Sequence, residues 1–174
     1  KELGRVIDLL KQRWEFAPNI EVTMECNPDT LTLQSLEEYR AIGINRISMG
    51  MQSANANVLK VLDRTHNPEN VSKSVDNARK AGFDNVSLDL IYGTPGETLE
   101  EWESTVKSAL SYGVDHLSAY ALIVEDGTKL SAKIKRGEIA RTDDDLMAQM
   151  YLSVDALADK AGLPWYELSN WGRP

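Results

Sequence analysis

Residues 85 to 96 read NVSLDLIYGTPG. Apolar and polar side chains alternate up to Leu90, and the run ends in Gly93-Thr94-Pro95-Gly96, so the stretch reads as a strand entering a tight turn. Strand side chains alternate between faces, which puts Val86, Leu88 and Leu90 on one side and Ser87, Asp89 and Ile91 on the other. The carboxylate in mid-strand is the informative residue. Burying it unpaired costs several kcal/mol, roughly, and parallel strands covered by helices on both faces are apolar on both faces. Asp89 therefore needs a polar surface in front of it.

Three other stretches carry the same pattern. In EVTMECN (21–27), Val22, Met24 and Cys26 oppose Thr23, Glu25 and Asn27. In NRISMGMQ (45–52), Ile47, Met49 and Met51 oppose Arg46, Ser48, Gly50 and Gln52. In HLSAYALI (116–123), Leu117, Ala119 and Ala121 oppose His116, Ser118, Tyr120 and Leu122. One face is apolar and the other small or polar on every strand. That combination describes an α/β fold with helices outside and a polar lumen, a complete or partial (β/α) barrel. Asp89 then faces the lumen with Glu25 and Gln52, near the strand ends where ligands bind in parallel α/β folds.

The segments between the strands fit. YRAIGINRISMGMQ, ARKAGFDNVSLDLIY, ALSYGVDHLSAYALI and ADKAGLPWYELSNW each run from a helix end through a glycine into a strand. Gly43, Gly82, Gly113 and Gly162 occupy the position just past the helix, where the left-handed conformation favours glycine. The spacing predicts five parallel strands, near 20–26, 45–51, 85–92, 115–123 and 164–169, with right-handed crossovers. Leu3, Val6, Ile7, Leu10 and Trp14 fall on one face of a first helix; Leu146, Met150, Val154, Leu157 and Ala161 fall on one face of the last. Thr142 with Asp145 makes a capping-box-like start. Residues 125–141 read as a loop with one short helix. The chain opens on Lys1 directly into a helix and stops at Pro174 just after a strand, which suggests a piece of a longer polypeptide. Residues 1–124 would form β/α units of the barrel, and 125–174 its end and the start of a further region.

Composition narrows the partners. The 174 residues, 42% hydrophobic and 26% charged, suit one globular domain. A net charge of −8 gives no basic face for nucleic acid or an acidic membrane. No apolar run is long enough to span a bilayer. Cys26 is the single cysteine, which excludes an internal disulfide and fits a reducing, cytoplasmic setting.

Several residues admit more than one use. Glu25 and Asp89 suit a catalytic acid and base, or acceptors for a ligand's amine and hydroxyls, or a structural ion pair with Arg46 or Arg64. Gly93-Thr94-Pro95-Gly96 lacks the lysine and the full pattern of a phosphate loop, and reads better as a turn into a helix capped by Thr98. Cys26 shares the helix-facing side and reads as a packed thiol. His66 and His116 lack paired ligand spacing for zinc; one surface and one lumenal histidine is the expectation. Lys133, Lys135 and Arg136 read as a solvated face, and Trp165 and Trp171 as packing for the last strand.

The strings ECNPDT, GINRISMGMQS, LDRTHN, SLDLIYGTPGET, HLSAYALIVEDGT and WYELSNWGRP occur in this order. Together they resemble the radical S-adenosylmethionine (SAM) enzymes related to oxygen-independent coproporphyrinogen III oxidase, over essentially the whole chain. The MQS, LDRTH, GTPG, VEDGT and WYELSNW segments look most like the heme chaperone branch of that family. Ala54 departs from the aromatic residue that often follows the Gln-Ser pair. The resemblance implies a partial barrel that binds SAM and a [4Fe-4S] cluster, with heme as cargo for recipient hemoproteins. The cluster motif C-x-x-x-C-x-x-C is absent, so cluster ligands are expected outside this chain, and Cys26 is not one. The first strands would be missing too, leaving a strand edge open to self-association, including homo-oligomers. By position, Glu25 would hold the methionine ammonium, Arg64 its carboxylate, Gln52 and Asp89 the ribose hydroxyls, and Ile91 the adenine. The alternatives are the radical decarboxylating oxidase itself and an unrelated barrel hydrolase or isomerase using Glu25 and Asp89.

Overall fold

A computed structural model describes residues 2–64 and 67–173. His66 lies outside the described residues. Seven α-helices and six strands follow in the order α1 (Glu2–Arg13), β1 (Thr23–Cys26), α2 (Leu33–Ala41), β2 (Arg46–Gln52), α3 (Ala56–Val61), α4 (Pro68–Lys80), β3 (Asn85–Tyr92), α5 (Leu99–Ser111), β4 (His116–Ala121), α6 (Lys129–Lys135), α7 (Asp144–Lys160), β5 (Trp165–Glu167) and β6 (Asn170–Gly172). They form one sheet in the order β1-β2-β3-β4-β6-β5. β1 to β4 are parallel, in a register that sets Glu25 beside Ser48 and Asp89 between Gly50 and Ser118.

The alternation governs which face is packed. Ile47, Met49, Met51, Val86, Leu88, Leu90, Leu117 and Ala119 are fully buried. They form one core with Val71 and Val75 of α4, Trp102 and Val106 of α5, and Met150 and Val154 of α7. The opposite face carries Ser48, Ser87, Asp89, His116 and Ser118. The sheet is thus jacketed on its apolar side, the partial (β/α) barrel that the pattern predicts.

Helix ends follow local chemistry. Thr98 caps α5 in a full capping box with Glu101. α7 differs from expectation by one residue: Asp143 is the cap, accepting from Leu146 N. Thr142 instead donates its hydroxyl to Gly93 O at 2.6 Å, tying the start of α7 to the turn after β3. The loop from 125 to 141 contains α6, as its sequence suggests.

Two expectations need correction. The last strand, expected as one parallel element over 164–169, is a hairpin. Ser169 turns with φ 65, and β6 enters antiparallel between β4 and β5. The reason is Trp171, which is fully buried, donates Nε1–H to Asp155 Oδ1 at 2.9 Å and stacks at a tilt on Tyr151. Trp165, in contrast, is 54% exposed. The apolar face of α1 does not pack as a stripe: Ile7 is buried, but Val6 is 52% and Trp14 59% exposed. No described helix is long and apolar enough to cross a membrane.

Candidate functional site

The C-terminal ends of β1, β2 and β3 deliver three polar side chains to one place. Glu25, Gln52 and Asp89 line a cavity of about 360 Å³ together with Asn27, Asp63 and Arg64. The same three line an adjoining cavity of about 360 Å³ with Ile91, Tyr120 and Leu122. All five residues singled out from the sequence, Glu25, Gln52, Arg64, Asp89 and Ile91, therefore border one double cavity.

Asp89 is held from two sides. Ser48 donates to its carboxylate, with its Oγ 3.1 and 3.0 Å from the two oxygens, and Ser118 is a second hydrogen-bond partner. Burial raises its pKa, the serine bonds lower it, Glu25 adds to the rise and Arg46 opposes it. Among the described residues no ion pair includes Glu25 or Asp89; Arg46 instead lies 3.8 Å from Glu21. The structural ion pair is thereby set aside, and both carboxylates face the cavity.

Gln52 reaches the cavity through an irregular backbone. The β2–β3 register slips between Gly50 and Gln52, and Gln52 has φ 61. Such a bulge re-aims a side chain, at a cost in backbone strain. The Gln52 amide folds back over Gly50: a Cβ at residue 50 would lie 2.7 Å from Gln52 Nε2. Arg64 arrives differently. Asp63 turns with φ 55 and Arg64 N donates to Leu59 O, which ends α3 and leaves an exposed guanidinium on the cavity rim.

Neighbouring groups have quieter roles. Cys26 is half-buried against the core, and burial pushes its thiol up to about 11, as a packed cysteine requires. His116 is buried on the lumenal side, bonded through Nδ1 to Ser87 Oγ and through Nε2 to Tyr166 OH, each at 2.8 Å. Burial lowers its pKa to about 4, so the ring is neutral at ordinary pH. It borders a separate cavity of about 650 Å³ at the opposite strand ends, with Arg46, Tyr166 and Arg173. Among the described residues no group of three or more His, Cys, Asp or Glu is placed to hold a metal ion.

The turn after β3 contains a residue that the sequence reading passed over. Glu97 is buried, its Oε2 accepts from Thr94 N at 3.2 Å, and burial pushes its carboxyl up to about 7. A carboxyl thus takes the donor that a phosphate would need, which supports the plain-turn reading of 93–96. Glu97 Oε1 and Thr94 Oγ1 are both buried, with no side-chain hydrogen-bond partner among the described residues. Asn27 and Tyr120, on the polar faces that the alternation marks, also join the cavities, and Asp63 joins them without a pattern of its own.

Comparison with known proteins identifies the family. A heme chaperone HemW of Mycobacterium tuberculosis is 44% identical over all of this chain, and one of Bacillus subtilis is 32% identical over 99% of it. The chain spans about 45% of the first of these relatives and about 46% of the second. The structure of the radical SAM enzyme coproporphyrinogen III oxidase (HemN) from Escherichia coli matches with a TM-score of 0.85 at 26% identity, covering 99% of this chain and 39% of that one. The family described as the Radical SAM superfamily matches residues 1–109, more than half of the sequence. With its half-jacketed sheet and acidic double cavity at the strand ends, the chain belongs to the radical SAM superfamily.

Proposed function

We propose that the double cavity is the SAM cradle of a heme chaperone, a protein that binds heme and hands it to recipient hemoproteins. The carrying observation is the convergence of Glu25, Gln52, Arg64, Asp89 and Ile91 on one cavity pair. Family membership implies SAM together with a [4Fe-4S] cluster. The donor set suits SAM: Glu25 for the ammonium, the Arg64 fork for the carboxylate, Asp89 and the Gln52 amide for the ribose diol, and Ile91 as an apolar wall for adenine. Asp89, already held by Ser48, is a preorganised acceptor rather than a mobile one. SAM supplies a reactive sulfonium when bound; this chain's part is to orient it. The chain does not fit a cluster's ligand set, because it has one cysteine and that thiol is packed.

Heme transfer is supported by the relatives' names and by likeness over the whole chain. The acidic composition and the lone cysteine fit a cytoplasmic setting. The second reading, an oxygen-independent coproporphyrinogen III oxidase, is favoured by the fold match to that enzyme. An unrelated hydrolase is set aside by the family.

Two measurements on the whole polypeptide carrying this chain test the proposal. Heme should bind in an absorbance titration and pass to an apo-hemoprotein; no heme binding, with decarboxylation of coproporphyrinogen, would favour the oxidase. In calorimetry, Asp89→Asn and Arg64→Ala should each weaken SAM binding by about tenfold, the loss of one charge-assisted contact. Unchanged affinity in both would remove the site assignment.

A further inference from the structure

A third cavity, of about 720 Å³, opens beside the SAM cradle. It shares Asp63 with one half of the cradle and Leu122 and Ile123 with the other. It lies between the end of α3, the chain leaving β4 and the first turns of α6. Its floor is aliphatic: Leu62, Leu122, Ile123, Val124, Leu130 and Ile139. Ile123 is 75% exposed and adds open apolar surface to this groove.

The rim is cationic. Lys60 on α3 and Lys129 and Lys133 on α6 border the cavity, all exposed. Lys129 and Lys133 are four apart and share a helix face. Among the described residues none of the three is in an ion pair. Their neighbours are committed: Lys135 to Asp126 at 2.9 Å, and Arg136 to Glu138. Asp63 and Glu125 also border the cavity, so its charged lining is three cations against two anions. In a chain of net charge −8, a locally cationic rim above an apolar floor is selective.

We propose that this groove binds a carboxylate-bearing tetrapyrrole, with the macrocycle on the aliphatic floor and its carboxylates on Lys60, Lys129 and Lys133. The proposal rests on the heme reading above and adds a location and a recognition chemistry to it. A ligand that is both broadly apolar and doubly anionic matches floor and rim together. The volume lies within the usual range for ligand sites of roughly 300–1,000 Å³. Contact with the cradle through Asp63, Leu122 and Ile123 sets the bound ring next to the SAM cavities, so occupancy of one is expected to affect the other.

The test uses metal-free protoporphyrin, which cannot bind through an iron ligand elsewhere. It is titrated into the whole polypeptide carrying this chain and followed by tryptophan quenching. The diacid should bind, and its dimethyl ester should bind about tenfold more weakly. Lys129→Ala with Lys133→Ala should weaken the diacid by about three- to tenfold, less so in high salt. Ile123→Glu should abolish binding, while Lys107→Ala on α5, far from the groove, should change nothing. Wild-type binding of heme but not of metal-free porphyrin would overturn the groove and leave the heme reading intact. So would equal affinity for diacid and diester, lysine variants that bind like wild type, or displacement of porphyrin by a long-chain fatty acid at lower concentration. Binding of neither heme nor porphyrin would overturn both.

Discussion

Asp89 and Glu97 are two carboxyls on one strand-and-turn, and their surroundings give them opposite tasks. Asp89 keeps two serine donors and faces the cavity, the setting in which the proposed function uses it as an acceptor. Glu97 is enclosed, its carboxyl pushed from 4.5 up to about 7. The folded state holds its proton more tightly than the unfolded chain does. Its stabilising effect is therefore complete below about pH 4.5 and is lost as pH rises through about 7. The lost contribution is on the order of 3 kcal/mol. Glu101 is the charged group that adds to the shift, so ionising both strengthens the trend. Glu97→Gln should flatten the stability profile between pH 5 and 8 and leave the variant more stable than wild type at pH 8. Denaturant unfolding across that range checks it; a parallel fall in both proteins would refute it. Glu97 was not legible beforehand because its sequence neighbours make a complete account without it: a turn, then a threonine cap. Only the closing of the turn on itself makes the carboxyl internal.

The strands were the most legible elements, because alternation survives in single residues. Asp89 among Val86, Leu88 and Leu90 was enough to reveal a sheet with one polar face. The β2 bulge was not legible, since MGMQ continues the alternation smoothly while the backbone at Gln52 does not. It yields a separable prediction. Gly50 has an ordinary strand conformation, so Gly50→Ala should cost less than about 1 kcal/mol in stability. The added methyl displaces only the flexible Gln52 amide. SAM affinity should fall about five- to tenfold through the lost contact to the diol. Calorimetry beside thermal melting separates the two; a large loss of stability with intact affinity would contradict this account. β6 escaped notice for a related reason. Three residues after a left-handed serine carry little periodicity, and it is the burial of Trp171 that makes them a strand. The face of α1 misled in the other direction: its spacing is helical, but spacing alone does not tell which partner a helix face meets.

At the scale of the whole molecule, two ties hold the jacket to the sheet. Trp102 is fully buried on α5, donates Nε1–H to Met150 O of α7 at 2.8 Å and meets Tyr92 at 5.5 Å. Trp102→Ala removes a fully buried ring and one donor to Met150 O, to which Ser153 Oγ still donates at 3.0 Å, and should cost about 3–5 kcal/mol, chiefly as a cavity. A shift of less than 1 kcal/mol in denaturant unfolding would show that α5 and α7 are held by other contacts. At the opposite strand ends, Asp115 gathers Arg79 at 2.6 Å and the backbone of Val86 at 2.9 Å. Arg79 also donates to Gly113 O and Asp84 O. This knot fixes the starts of β3 and β4, leaving their far ends to shape the cavities.

β6 lies between β4 and β5 although it follows both in the chain. On the ribosome, the backbone of β4 therefore emerges with one side unmatched, and stays so until residue 172 clears the exit tunnel. For that interval the nascent sheet offers a template to any extended chain nearby, and a delay between residues 121 and 172 lengthens the exposure. Slower translation between residues 121 and 172 is therefore expected to lower the yield, an effect that no contact in the finished sheet records.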